Sequence, residues 1–142
     1  MPTLHKTITV EAPVEKVFKY MTEPTHLPEI WPSLFEVKEF TTLPTGGYKF
    51  GWFYNMAGKR AEGTTKTSEW LPNERFVDKA TGDLEATFAW SFFPENGYTK
   101  IELDAEYMPP KFFPKEELPF IKQRNESEAG LILENLKARF EV

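Results

Sequence analysis

The 142-residue chain has no cysteine and only two histidines. Without cysteine there is no disulfide, no thiolate metal site and no cysteine nucleophile. His5 and His26, far apart in the sequence, are too few for a zinc site. No apolar run is long enough to cross a bilayer. Met1-Pro2-Thr3-Leu4-His5-Lys6 lacks the apolar core of a signal peptide, so a cytoplasmic location is expected. Positive charge is also short. Lys and Arg number 17 against 22 Asp and Glu, a formal net charge of −5, which argues against a nucleic-acid partner. Gly46-Gly47 reads as a turn, since no phosphate-binding pattern surrounds it. There is no repeat and no low-complexity segment, and the length suits one domain over residues 1–142. Nothing in the sequence bears on oligomeric state.

What the chain does have is aromatic residues, 15% of the total, concentrated in two alternating stretches. In the first, Tyr48, Phe50, Trp52 and Tyr54 occupy every second position. In the second, Leu84, Ala86, Phe88, Trp90 and Phe92 do the same. Period-two alternation marks a strand with one buried face. If Ala57-Gly58 is a two-residue hairpin turn, Tyr54 faces Ala61, Trp52 faces Gly63, Phe50 faces Thr65 and Tyr48 faces Thr67. Asn96-Gly97 is the strongest hairpin signal in the chain. With it as the turn, Phe92 faces Ile101, Trp90 faces Leu103, Phe88 faces Ala105 and Ala86 faces Tyr107. Each register gives one apolar face and one polar face, and a one-residue slip would invert both. The strand between, Arg75 to Ala80, has a turn at Thr81-Gly82-Asp83 that permits two registers, so the facing of Asp78 stays open.

The remaining elements come from spacing and breakers. Residues 3–11 are rich in β-branched side chains and read as a strand. Pro13 suits a first helical turn, and Val14, Val17, Phe18 and Met21 fall at helical spacing. Thr25 to Trp31 reads as a second helical turn, and Leu34 to Thr41 as a strand. Met108 to Pro114 is a Pro-rich connector. A long helix ends near Phe140, with Leu118, Ile121, Asn125, Ala129, Ile132, Leu136 and Phe140 on one face. Pro119 either confines the regular part of this helix to the residues beyond it or bends it. An antiparallel sheet with its helices on one face is an α+β architecture.

This order, together with Thr9-Val10-Glu11-Ala12-Pro13-Val14-Glu15-Lys16-Val17-Phe18, Leu27-Pro28-Glu29-Ile30-Trp31-Pro32, Gly58-Lys59-Arg60-Ala61-Glu62-Gly63-Thr64, Glu69-Trp70-Leu71-Pro72 and Asn96-Gly97-Tyr98-Thr99-Lys100-Ile101, resembles the helix-grip fold of the START and pollen-allergen-like superfamily. Within it, the chain is similar to the polyketide cyclase/dehydrase and lipid-transport branch. The resemblance spans essentially the whole chain. It implies about seven curved antiparallel strands around a long C-terminal helix, two short helices after the first strand, and a deep cavity between sheet and helix. It also implies no metal and no bound cofactor. The superfamily holds both carriers and cyclases, so the fold alone does not name an activity.

The expected lining of that cavity is the aromatic wall Tyr48, Phe50, Trp52, Tyr54, Phe88, Trp90 and Phe92, with Thr65, Leu103, Tyr107, Asn125, Ala129 and Ile132. Gly63, Thr65 and Ala105 sit opposite large rings and are expected to leave space. Tyr54, Thr65, Tyr107 and Asn125 are the candidate polar handles. Asn125, mid-face on an apolar helix, is read first as bonded to a sheet residue or a buried water, second as a ligand contact. His26 is read as a surface residue near the rim rather than a base, and His5 as structural or exposed. Glu102, Asp104 and Glu106 form a solvated face. Arg124, Glu126 and Glu128 are read as surface residues, with Glu128 nearest the apolar edge and within reach of the cavity rim. No acid–base pair is expected on the inner face. The favoured reading is therefore a carrier or sensor of a hydrophobic small molecule: a lipid, an isoprenoid quinone, or an aromatic or polyketide-like metabolite. A cyclase or dehydratase in the same cavity is the alternative, and an inward Asp78 would speak for it. An interaction module is disfavoured by a charged outer sheet face.

Overall fold

The computed structural model describes residues 2–141. Seven antiparallel strands form one curved sheet: β1 (Thr3–Val10), β2 (Leu34–Thr42), β3 (Tyr48–Met56), β4 (Lys59–Leu71), β5 (Arg75–Gly82), β6 (Ala86–Glu95) and β7 (Tyr98–Tyr107). Their order is β1-β7-β6-β5-β4-β3-β2, a meander from β2 to β7 with β1 added beside β7. Between β1 and β2 lie α1 (Val14–Met21), a 3-10 turn (Pro24–His26) and α2 (Leu27–Ile30), and the chain closes with α3 (Leu118–Arg139). This is the α+β architecture expected, with strand boundaries shifted by a residue or two.

Both hairpin registers hold. Tyr54 pairs with Ala61, Trp52 with Gly63 and Phe50 with Thr65. Thr67 accepts the Tyr48 N–H through Oγ1 at 3.2 Å. Phe92 pairs with Ile101, Trp90 with Leu103, Phe88 with Ala105 and Ala86 with Tyr107. Each turn has positive φ at both central residues, Ala57 and Gly58 in one and Asn96 and Gly97 in the other, the primed geometry that matches strand twist.

The β4–β5 register settles the facing of Asp78. Thr65 pairs with Ala80 and Thr67 with Asp78, so Phe76, Asp78 and Ala80 face inward and are buried. A bulge between Thr67 and Glu69 adds one residue to β4 and reverses its facing beyond that point. Trp70 thereby turns toward the core, where Phe18 of α1 meets it edge to face at 5.1 Å. Phe92 packs against the same ring of Phe18 at 5.2 Å. Pro119 sits in the first turn of α3, where its missing N–H is not needed.

The space expected above Gly63 is filled. The Trp52 indole lies against that glycine, and a Cβ there would meet Trp52 Cζ2 at 2.5 Å and the Thr81 carbonyl oxygen at 2.2 Å. The outer face is also less uniformly polar than expected. Phe35 and Phe53 stack there at 5.9 Å, and Arg60 lies 4.3 Å over the Phe53 ring.

Two glycine substitutions should separate these constraints in urea denaturation. Gly63→Ala forces overpacking and should destabilise by about 1–3 kcal/mol. Gly130→Ala, inside α3 with open space around it, should stabilise by roughly 0.5–1 kcal/mol, the helix-propensity difference. Equal effects would show that Gly63 is not held by contact.

Candidate functional site

Between the concave sheet face and α3 lies a cavity of about 130 Å³, roughly ten times the space one water centre requires. Tyr48, Phe50, Trp52, Tyr54, Thr65, Phe88, Trp90, Leu103, Tyr107, Asn125, Ala129 and Ile132 line it, as expected. Phe92 does not; it belongs to the packed cluster under α1. Leu84, Phe88, Tyr107 and Met108 are lining residues that stay partly exposed. They come together where Met108 N–H bonds the Glu85 carbonyl at 2.9 Å, which puts the mouth at the β5–β6 turn. Trp31 meets Phe88 edge to face at 5.1 Å beside it.

The polar groups fall into three sets. At one end, the Glu128 carboxylate of α3 accepts from Trp31 Nε1–H at 2.8 Å, from Arg124 Nη2–H at 3.0 Å, and from the hydroxyls of Tyr54 and Ser33. Arg124 also donates to the Tyr54 hydroxyl at 3.2 Å and to the Asn55 carbonyl at 3.2 Å. Glu128 is thus a buried hub, not the surface residue expected, and Arg124 is largely covered with it. Helical spacing carried the signal: residue 128 lies three after Asn125 and four before Ile132. Tyr54 is correspondingly not a free handle, since its oxygen both donates and accepts within the hub. Burial and the Glu128 charge push its pKa up to about 12 against the opposing pull of Arg124.

In the middle of the sheet, Asp78 accepts the Tyr48 hydroxyl at 2.7 Å and the Thr67 hydroxyl at 3.0 Å. Burial pushes its pKa up to about 6, with those two hydrogen bonds opposing the rise. Burial and the Asp78 carboxylate together raise Tyr48 well above the usual tyrosine value. The inner side of the molecule therefore carries two buried acids. Asp78 is the one whose facing the sequence leaves open, and Glu128 is the one its charge assigns to the surface.

The third set is two orphans on separate strands, Trp52 on β3 and Tyr107 on β7. Trp52 Nε1–H and the Tyr107 hydroxyl are buried with no hydrogen-bond partner among the described residues. Burial raises the Tyr107 pKa, and the neighbouring Asn125 amide opposes that rise. The Asn125 carbonyl is itself taken by Arg124 Nη1–H at 2.8 Å, while its side chain also lies against Tyr107 of β7, a sheet residue. His26 lies outside the cavity lining. It stacks on Tyr20 at 4.4 Å, and its Nδ1 lies 3.0 Å from the Tyr20 carbonyl. His5 pairs with Asp104 on the outer face, and Lys100 pairs with Glu102 there. Among the described residues there is no cluster of three metal-ligating side chains, and no helix is long and apolar enough to cross a membrane.

Comparison with known proteins agrees with this architecture. The family model described as polyketide cyclase / dehydrase and lipid transport matches residues 1–141. The protein TTHA0849 from Thermus thermophilus superposes with a TM-score of 0.82 at 18% identity, over 98% of this chain and 97% of that one. A START superfamily protein from Mycobacterium smegmatis gives 0.82 at 15% identity, over 97% and 96%. The Zhui aromatase/cyclase from Streptomyces sp. R1128 gives 0.77 at 14% identity, over 97% and 92%. No curated protein matches the sequence significantly.

Two stability measurements probe the carboxylates. Asp78 has a folded pKa above its unfolded value of 3.8, so its cost is absent below that value and complete above about 6. Wild-type stability should fall across that window by on the order of 2–3 kcal/mol from this residue. Asp78→Asn should flatten that segment of the pH profile; an unchanged profile would exclude the assignment. Glu128→Ala leaves Arg124 unpaired and should cost about 3–5 kcal/mol in denaturant unfolding. A loss below about 1 kcal/mol would make the hub no more than a surface pair.

Proposed function

The chain belongs to the polyketide cyclase / dehydrase and lipid transport family, and from that premise we propose that it binds a compact hydrophobic molecule in the sheet–helix cavity, as a carrier or sensor. The observation that carries this reading is the pair of orphaned donors in an apolar wall. Buried polar groups in folded proteins are nearly always bonded, and an unmet one costs about 1–3 kcal/mol. A ligand oxygen beside either Trp52 Nε1–H or the Tyr107 hydroxyl relieves the cost of that group. The flat rings of Phe50, Trp52, Phe88 and Trp90 along the wall favour a ring-bearing ligand over a flexible chain. The twelve lining residues named from the sequence are the proposed binding residues, with Tyr54 acting through packing and through Glu128.

A second reading, an enzyme of cyclase or dehydratase type, is favoured by one observation. Asp78 is an inward carboxyl with a pKa of about 6, near the range useful for general base chemistry. Glu128 adds little to that reading, because four donors already occupy it.

Native mass spectrometry of the purified protein, with extraction of any bound mass, addresses the two directly. A stoichiometric apolar ligand supports the carrier. An empty protein that converts a cyclisable aromatic substrate supports the enzyme. The donor assignment is checked by titrating 1,4-naphthoquinone and naphthalene. Trp52→Phe combined with Tyr107→Phe should weaken the quinone about tenfold, the loss of one to two hydrogen bonds, and leave naphthalene within about twofold. Asp104→Ala, on the outer face, should change neither. Equal losses for both probes would exclude the donors as ligand contacts.

A further inference from the structure

Among the described residues, the walls of the cavity carry three carboxyl groups, Asp78, Glu85 and Glu128, and no lysine, arginine or histidine. Glu128 is neutralised from behind by Arg124, and Glu85 is exposed at the mouth. Asp78 alone is buried, faces the cavity, and has only neutral hydroxyls as partners. Two hydrogen bonds leave about half of a carboxylate's accepting capacity unused. Its neighbours on the inner sheet face are aromatic residues. Phe88 pairs with it across β6, and Phe76 precedes it by two residues on the same face. Trp90 stacks on Phe76 at 6.3 Å, and Tyr48 closes the group at 6.5 Å from Phe76. A carboxylate set among aromatic rings is the arrangement that recognises an organic cation, through Coulomb attraction and cation–π contact.

We propose that Asp78 is the selectivity determinant of the cavity, and that the ligand carries a basic nitrogen whose protonated form pairs with the Asp78 carboxylate among Tyr48, Phe76, Phe88 and Trp90. This rests on the ligand-binding reading above and names the ligand class: a small, apolar, ring-bearing amine. The charge balance argues the same way. A buried carboxylate without a counter-ion is costly, and burial raises the Asp78 pKa. An apolar replacement would have removed that cost, whereas a cationic ligand compensates it on binding. Among the described residues, the other titratable groups lining the cavity are Tyr48, Tyr54, Tyr107, Glu85 and Glu128, and none of these supplies positive charge.

The test is calorimetric titration with two nearly isosteric probes, 1-naphthylmethylamine and 1-naphthylmethanol, at pH 7.5 and pH 5. The amine should bind wild type at least tenfold tighter than the alcohol at pH 7.5. That ratio should fall about tenfold at pH 5, because one pH unit below the Asp78 pKa of about 6 leaves roughly a tenth of the carboxyl ionised. Asp78→Asn should abolish the preference at both pH values while leaving the alcohol within about threefold. An alcohol that binds wild type as tightly as the amine overturns the proposal and assigns Asp78 the role of a neutral donor or a base. A preference that survives Asp78→Asn, or does not respond to pH, also overturns it. If neither probe binds, the cavity reading fails and takes this proposal with it. The wild-type ratio and its pH dependence decide the matter even where Asp78→Asn does not fold.

Discussion

The carboxylate of Glu128 is the interaction on which the rest of the cavity depends. A buried charge on a helix facing an aromatic sheet is unfavourable unless its neighbours compensate it. Compensation here comes from three separated stretches of chain: Trp31 and Ser33 leading into β2, Tyr54 on β3, and Arg124 one turn earlier on α3. Satisfying the charge therefore fixes where α3 crosses the sheet. Charge-assisted hydrogen bonds are directional, so they set a position that apolar packing alone would leave adjustable. The helix needs such a fixture. Its sheet contacts are chiefly with the edge strand β1, and its other neighbour is the short α2.

With α3 held at the β3 end and along β1, the middle of the concave face has little to pack against. The region under α1 is different: Phe18, Trp70, Phe76 and Phe92 meet there edge to face or stacked, at centroid separations of 5.1–5.9 Å, the spacing of a filled aromatic core. Close packing at one end and a void at the other arise from one distribution of side-chain volume. Large rings project from the strands, while Ala129 and Ile132 face them from the helix. Gly63 shows the opposite use of a small residue. It lets the Trp52 ring lie against β4 and carry its N–H into a position without a protein acceptor.

Much of this is legible in the sequence, because local rules and the tertiary outcome agree. Alternation and two turn dipeptides are enough to pair β3 with β4 and β6 with β7, residue for residue, and to name much of the cavity lining, Phe92 excepted. Two features escape for physical reasons. The Thr81-Gly82-Asp83 turn permits two registers, and counting from the β4–β5 turn crosses a bulge between Thr67 and Glu69 that no Gly or Pro announces, so the facing of Asp78 has no local signal. Charge alone sends Glu128 to solvent, though its helical phase is that of Ile132 and Asn125. Phase and polarity conflict, and two of the partners that resolve the conflict come from residues about a hundred positions away. Conflicts of this kind concentrate where a protein is built for something other than stability.

Asp78 fits that rule more sharply than Glu128. The hub acid is compensated within the fold, so replacing it disrupts the fold. The sheet acid is compensated only by two hydroxyls, so its ionised form opposes folding at neutral pH. Central strands ordinarily present apolar side chains to such a face, and the same-face neighbours of Asp78 on β5, Phe76 and Ala80, keep that habit. A residue that weakens the empty protein and is strengthened only by something entering the cavity marks the place where occupancy and stability are coupled. Ligand binding to the folded form raises stability by mass action, and in this chain the gain should be largest where the uncompensated charge lies. The cavity is then one structure with two requirements. An acceptor is called for beside Trp52 or Tyr107, and a positive group beside Asp78.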